Sequence, residues 1–255
     1  MLPILIEQRR YLIMSMINCR VNGRWDILLP EHRKDIWGRE EGWEKPRLES
    51  MHKHLGKDDV LYYIGAEEGD MPALCQMWGA RVVMFEPDYK VWANIKAIWK
   101  ANKLEDPWCW AGFASDKNSG MALYKGFYKF KGEIITDHGF MELRNRNAPE
   151  ITVDKLNDDL SYNHGLKITA LSLDVEGSEW LVLKGAEKTL REYHPKIWLS
   201  VHPEIMLDHF GQKQEEMRKW IKSLGYKETF LENDHEIHLF YENGVKKASK
   251  DLDLK

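Results

Sequence analysis

Cysteine is scarce in this chain of 255 residues. The three present, Cys19, Cys75 and Cys109, share no spacing that would make a redox pair or a metal knuckle. That excludes a disulfide scaffold, and free thiols suit a reducing compartment, so a cytoplasmic location is expected. Long apolar runs are missing too. No stretch supplies the roughly 20 residues of a membrane-spanning helix, and the opening MLPILIEQRR has too short an apolar segment for a signal peptide. Nor is there a surplus of positive charge. The formal net charge of −4 gives no basic field, so a nucleic-acid partner is not expected. Internal repeats and low-complexity linkers that would divide the chain are also lacking.

What is present is apolar and aromatic. Hydrophobic residues make up 43% of the chain, charged residues 31%, and eleven are tryptophans, a composition that supports a sizeable core under a solvated surface. Most of the tryptophans read as core filling. Trp25, Trp37 and Trp43 lie in a polar N-terminal stretch and are candidates for aromatic walls against a polar acceptor such as a sugar.

From Val60 onward, strand and helix signals alternate. VLYYIG and RVVMFEP are continuous apolar runs, the pattern of strands covered on both faces. DMPALCQMWGA between them has a capping Asp70, Pro72 in the first turn and a closing Gly79. In DYKVWANIKAIWKANK the residues Val91, Trp92, Ile95, Ile98 and Trp99 recur at helical spacing. WCWAGF, ITALSLDVEG and KIWLSVHPE predict further strands, SEWLVLKGAEKTLREY and QKQEEMRKWIKSLG further helices. YKETFLEN and HEIHLFYEN are two strands joined tightly at Asn233-Asp234. The expected architecture is α/β: a mostly parallel sheet with helices on both faces and an antiparallel C-terminal hairpin. Residues 1–57 are expected to form a helical N-terminal cap region, 58–245 the main domain with an irregular insertion at 114–167, and 246–255 a flexible tail.

The loop GAEEGD follows the first of these strands and opens a helix. In such sheets ligands lie beyond the carboxyl ends of the strands. Gly65 and Gly69 allow a sharp turn and a close backbone approach. The spacing G-x-x-x-G is not the G-x-G-x-x-G of dinucleotide sites, and the lysine of a phosphate loop is missing. Glu67, Glu68 and Asp70 would repel a pyrophosphate, whereas a cofactor bearing an ammonium and a sulfonium suits them. Glu86 ends the next strand, 21 residues after Gly65, where a carboxylate can accept both ribose hydroxyl protons. That geometry serves nicotinamide and S-adenosylmethionine alike, so Glu86 alone does not choose between them.

Taken in order, YYIGAEEGD, VVMFEPD, GFASDKNSG, ITVDKL, LDVEGSEWLVLKGA and WLSVHPE resemble the FkbM family of S-adenosylmethionine-dependent methyltransferases, over roughly residues 58–205. The most specific piece is DVEGSEWLVLKGA, Asp174 to Ala186. The resemblance implies a class I methyltransferase fold, Rossmann-like with a seven-stranded sheet, and methyl transfer to an oxygen of a sugar, glycan or natural-product-like small molecule. By position it implies cofactor binding by Gly65, Ala66, Glu67, Gly69 and Glu86, with Ser115 and Asp116 near the adenine. Tyr63 departs from the family, which usually has Asp there, and Glu67 stands where Asn is common.

Methyl transfer to an alcohol benefits from a base at the hydroxyl or a metal that acidifies it. Asp174, Glu176 and His202 fall at neighbouring strand ends and are the candidate catalytic group, with His202 or Asp174 as base. His235 and His238, with Glu236, are expected across the sheet. Asp174, His202, His235 and His238 are thus candidate ligands of a divalent metal, although their spacing matches no tight metal motif. An NAD-dependent oxidoreductase and a catalytically inactive cofactor-binding or interaction module are the alternatives. Specificity for the acceptor is expected to reside in residues 1–57 and the insertion.

Overall fold

The computed structural model describes residues 15–88, 90–120, the backbone of 123–125, and 148–244. The expected tail at 246–255 and most of the insertion lie outside them.

Five strands form the parallel centre: β3 (Val60–Ile64), β4 (Arg81–Phe85), β5 (Trp108–Trp110), β9 (Ala170–Leu173) and β10 (Lys196–Val201). Their order is β5-β4-β3-β9-β10, so the chain winds outward from β3 and then returns to its other side. The apolar runs read from the sequence are these strands, and β3 and β9 are buried at every position because helices cover both faces. β11 (Tyr226–Asn233) and β12 (Ile237–Asn243) extend the sheet as the expected hairpin. β12 inserts between β10 and β11, antiparallel to both. A short eighth strand, β7 (Leu123–Lys125), adds to the seven on the far edge, antiparallel to β5.

The expected helices form, but Asp70 does not cap the first of them: Gly69 is its N-cap, and the Asp70 carboxylate accepts from Arg33 and Trp37 instead. α3 (Asp70–Met77) and α4 (Trp92–Ala101) connect β3, β4 and β5. The expected helix after Ser178 divides at Gly185 into α6 (Glu179–Lys184) and α7 (Glu187–Tyr193). A Cβ at Gly185 would stand 2.0 Å from the Ser115 carbonyl, so the break allows two backbones to touch. α8 (Pro203–Phe210) was not anticipated, although Pro203 at its first turn and Gly211 in the left-handed region just after it mark both ends. α9 (Gln214–Ser223) precedes the hairpin.

Two expectations are corrected. The N-terminal region is not simply helical: β1 (Met16–Val21) and β2 (Trp25–Pro30) pair as an antiparallel hairpin. Its signal was Asn22-Gly23, both at positive φ, a favoured hairpin-turn pair. Short helical turns at Glu31–Arg33 and Lys34–Trp37 (α1) and the helix α2 (Lys45–His54) follow. Second, the stretch 114–167, expected as an insertion with short strands and a short helix after EITVDKL, has a helix that starts within that segment and runs for 12 residues. β6 (Phe113–Ala114) pairs with β8 (Glu150–Ile151), and Val153–His164 forms a regular helix, α5, capped by the Thr152 hydroxyl. No helix among the described residues is long and apolar enough to cross a membrane.

Candidate active site

A cavity of about 430 Å³ opens at the carboxyl ends of β3, β4, β9 and β10, where the winding direction reverses. Of the sequence candidates it brings together Gly65, Ala66, Glu67, Glu86, Asp174, Glu176, His202 and His235. Gly69 stands behind the loop, where a Cβ would press on Ile95. Ser115 is buried and Asp116 exposed, and neither lines the cavity; Gly112, Phe113 and Ala114 just before them do.

On the side of β3 and β4, the loop is held by its own backbone. The Gly65 and Ala66 amides both donate to the Phe85 carbonyl at 3.1 Å. Gly65 has φ +84°, and a Cβ there would lie 1.8 Å from the Asp174 carbonyl oxygen. Only glycine lets β3 and β9 end so close together. Glu86 is buried and accepts the amide protons of Glu67 at 2.9 Å and Asp88 at 2.7 Å. Burial outweighs these two bonds and pushes its carboxyl up to about 8.

The acids of the loop are not all free to meet a cation. Arg33, from the N-terminal region, donates to Asp70 Oδ2 at 2.6 Å and faces both oxygens of Glu67 at 3.4 Å. Trp37 donates its indole N–H to the same Asp70 oxygen, and His32 lies 2.6 Å from Glu68. The N-terminal region therefore braces the loop and neutralises part of it, a role that loop composition alone did not reveal.

On the side of β9, β10 and the hairpin, the groups are mutually bound. His202 Nδ1 donates to Glu179 at 2.7 Å, and its Nε2 meets Glu236 Oε2 at 2.5 Å. Asp174 and Glu176 each lie 3.8 Å from the same Nε2. Burial alone would lower the His202 pKa, but the bonds to Glu179 and Glu236 overcome it and push it up to about 11. Glu236 responds in the opposite sense: burial would raise it, and His202 pulls it down to about 2. His202 is thus an imidazolium at neutral pH and cannot serve as the base. Asp174 is raised, chiefly by burial and then by the Glu236 charge, despite Arg47 beside it.

Arg47, on α2, is fully buried and spans this group. It donates to Glu44 at 2.5 Å, to Asp174 Oδ2 at 3.2 Å and to Ser172 Oγ at 3.0 Å. Glu44 is pushed up to about 7 by burial, against the pull of Arg47.

The four candidate metal ligands do not converge on one point. Asp174 and His202 gather around Glu236, while His235 and His238 gather with Glu44 around the same Glu236. His202 has both ring nitrogens committed to carboxylates, so the first set has no lone pair to offer from its imidazole. His235 and Glu236 sit in the turn between β11 and β12, not on the strand face expected for them. Of the three candidate wall tryptophans only Trp43 lines the cavity, stacked on His235 at 4.5 Å; Trp37 is buried, and Trp25 packs on His52 and Trp78.

Sequence reading missed Arg33, Glu44, Arg47 and Glu179. Glu179 carried a signal: it is the third acid of DVEGSE, two residues past a glycine that needs positive φ (Gly177, φ +93°). The other three lie in the N-terminal region and reach the site only through tertiary contact.

The strand order with its antiparallel terminal hairpin and the cavity at the strand switch define a Rossmann-like, class I methyltransferase fold. Residues 59–228 match the methyltransferase FkbM domain, and the chain belongs to that family. Similar solved structures include an FkbM methyltransferase from Methylobacillus flagellatus, 15% identical with a TM-score of 0.47, over 83% of this chain and 62% of that one. This chain thus spans less than two thirds of that protein's length. Others are an rRNA methylase from Streptococcus thermophilus (8% identical, TM-score 0.47, 77% of this chain and 93% of that one) and a precorrin-6y C5,15-methyltransferase from Geobacter metallireducens (12%, 0.45, 78% and 86%). Curated proteins give no match.

Proposed function

We propose that this protein is an S-adenosylmethionine-dependent O-methyltransferase acting on a hydroxyl of a small polar acceptor, a sugar, glycan or natural-product-like molecule. The observation that carries the reading is Glu86. Its carboxylate is buried at the wall of the cavity, one strand from the glycine turn, with both oxygens anchored by backbone amides yet each retaining acceptor capacity. That suits a ribose diol. The cavity walls, rich in carboxylates and including apolar Phe113 and Pro87, fit a cationic adenosyl group better than a pyrophosphate.

When bound, the cofactor supplies an electrophilic methyl group on a positively charged sulfur. The protein's task is to orient an acceptor oxygen and take its proton. Asp174 is the proposed base: its carboxylate lines the cavity, its pKa is raised by burial, and Arg47 fixes its direction. His202, as an imidazolium, holds Glu179 and Glu236 in place and keeps a positive charge beside Asp174 after the proton has moved. Glu176 at the mouth and the Trp43 face are proposed to contact the acceptor.

Titration calorimetry with S-adenosylmethionine and with NAD separates methyltransferase from oxidoreductase. Screening acceptors with a labelled methyl donor, and locating the new methyl by mass spectrometry, identifies the substrate. A methyl found on RNA, or on nitrogen or carbon, would replace the O-methylation reading. Cofactor binding with no transfer to any acceptor class would favour an inactive binding module.

A further inference from the structure

The C-terminal hairpin carries two histidines, at its tip and on β12, to which the methyl-transfer reading gives no part in the chemistry. His235 and His238 both aim Nε2 at one oxygen of Glu236, Oε1, from 3.4 Å and 3.5 Å. Glu44, just before α2, offers a carboxylate oxygen within 4.8 Å of all three. The other ring nitrogens are already engaged. His235 Nδ1 lies 2.9 Å from Asp234 Oδ1, and His238 Nδ1 lies 3.1 Å from the Ser200 hydroxyl. A carboxylate at Nδ1 fixes the proton of His235 there and leaves its Nε2 as the lone-pair nitrogen; the Ser200 hydroxyl can accept from His238 Nδ1 and so allows the same tautomer, the arrangement that second-shell partners impose on metal-bound histidines.

One of these nitrogens stands out. His238 is fully buried, and its Nε2 has no hydrogen-bond partner among the described residues. Its nearest polar neighbours there, Glu236 Oε1 and Asp234 Oδ1, are both 3.5 Å away, too far for a good bond. A buried imidazole nitrogen left unsatisfied is costly unless something occupies the point it faces.

We infer that Glu44, His235, Glu236 and His238 form a binding site for one divalent transition-metal ion of the zinc type. Two imidazoles with two carboxylates suit zinc, cobalt or manganese rather than the all-oxygen shell of magnesium. Bonds of about 2.0–2.1 Å in a tetrahedron set ligand atoms about 3.3–3.4 Å apart, close to the 3.4 and 3.5 Å between Glu236 Oε1 and the two imidazoles, while the Glu44 oxygen stands farther out, within 4.8 Å of them. The half-exposed His235 ring provides an entry path. Glu236 joins this site to the reaction centre, since its Oε1 faces the ion and its Oε2 holds His202. The ion would lock the hairpin tip to the Glu44 loop and so shape the wall formed by Trp43 and His235.

The test needs neither methyl donor nor acceptor, so its failure and that of the methyltransferase reading are separable. The full chain, freed of metal by chelation and dialysis, is titrated with Co²⁺ while visible absorption is recorded. Zn²⁺ and Mg²⁺ are then added in competition. The expected result is one Co²⁺ per chain with the intense bands of a low-coordinate site, displaced by Zn²⁺ and not by Mg²⁺. His238→Ala should abolish the bands. Because that variant opens a buried position, the partly exposed His235→Ala, checked for an unchanged circular dichroism spectrum, should also remove them. Asp234→Asn, which weakens the Nδ1 partner of His235 and removes a charge 3.5 Å from His238 Nε2, should weaken Co²⁺ binding about tenfold. No stoichiometric uptake by the native chain, displacement by Mg²⁺ as readily as by Zn²⁺, or bands that survive in His235→Ala would overturn the proposal.

Discussion

The two walls of the cavity are built in different ways. The wall formed by the β3 loop and the end of β4 is local: Gly65, Ala66, Glu67 and Glu86 lie within 22 residues of sequence and are tied by backbone amides. The wall formed by β9, β10 and the hairpin draws on Glu44, Arg47, Asp174, His202 and Glu236, which meet only when the sheet is assembled. On the first wall a carboxyl is anchored by amides and left with little countercharge. On the second, charges neutralise one another directly. The first is suited to waiting for a ligand, the second to holding its own geometry and moving a proton.

The contrast can be broken from its second side first. Asp174→Asn should lower methyl transfer about 10²- to 10⁴-fold, measured with the acceptor found by the labelled-donor screen, while calorimetry shows cofactor binding largely retained. Arg47→Ala leaves Glu44 and Asp174 without their buried cation, and unfolding by denaturant should show a loss of about 3–5 kcal/mol. The same substitution of an exposed pair such as Arg191 with Glu187 should be nearly silent.

On the local wall the sensitive element is backbone. Gly65→Ala places a Cβ against the Asp174 carbonyl at positive φ. A stability loss of about 2–4 kcal/mol is expected from strain and overpacking together, with cofactor binding lost as the strand ends separate. Gly165→Ala, also at positive φ but facing open space, should cost less in the same melting experiment.

A gentler probe is pH. Glu86 has its carboxyl pushed from 4.5 up to about 8, so the folded free protein holds a proton there that the unfolded chain releases. This group's contribution to stability is therefore fullest below pH 4.5 and falls as pH climbs to 8. Cofactor binding runs the other way. A ribose diol donates to the ionised form, so affinity should rise with pH by up to about tenfold per unit and level off above 8. Glu86→Gln should flatten that profile, which calorimetry at several pH values can follow.

How far each wall could be read from sequence follows from its construction. β3, β4, β9 and β10 announce themselves as doubly buried apolar runs, and the glycines and Glu86 mark the first wall by spacing along one β-α-β unit. Asp174, Glu176 and His202 were legible as strand ends, which supplied their neighbourhood but not their bonding. That His202 is an imidazolium depends on Glu179 and Glu236 closing on its two nitrogens, and no local pattern encodes such a meeting. Arg33 and Arg47 were invisible for the same reason: each is an ordinary charge in its own segment and becomes a brace only against a partner 37 or 127 residues away. The hairpin β1–β2 is different, since Asn22-Gly23 is a local turn signal within the segment itself.

The most direct test of the account is calorimetric titration of the full chain with S-adenosylmethionine, run beside Glu86→Gln. One binding site in the native chain, no heat with NAD, and at least about a tenfold weaker affinity in the variant are expected, the last from losing hydrogen bonds to a charged acceptor. Absence of binding by the native chain, or equal affinity in both proteins, would contradict it.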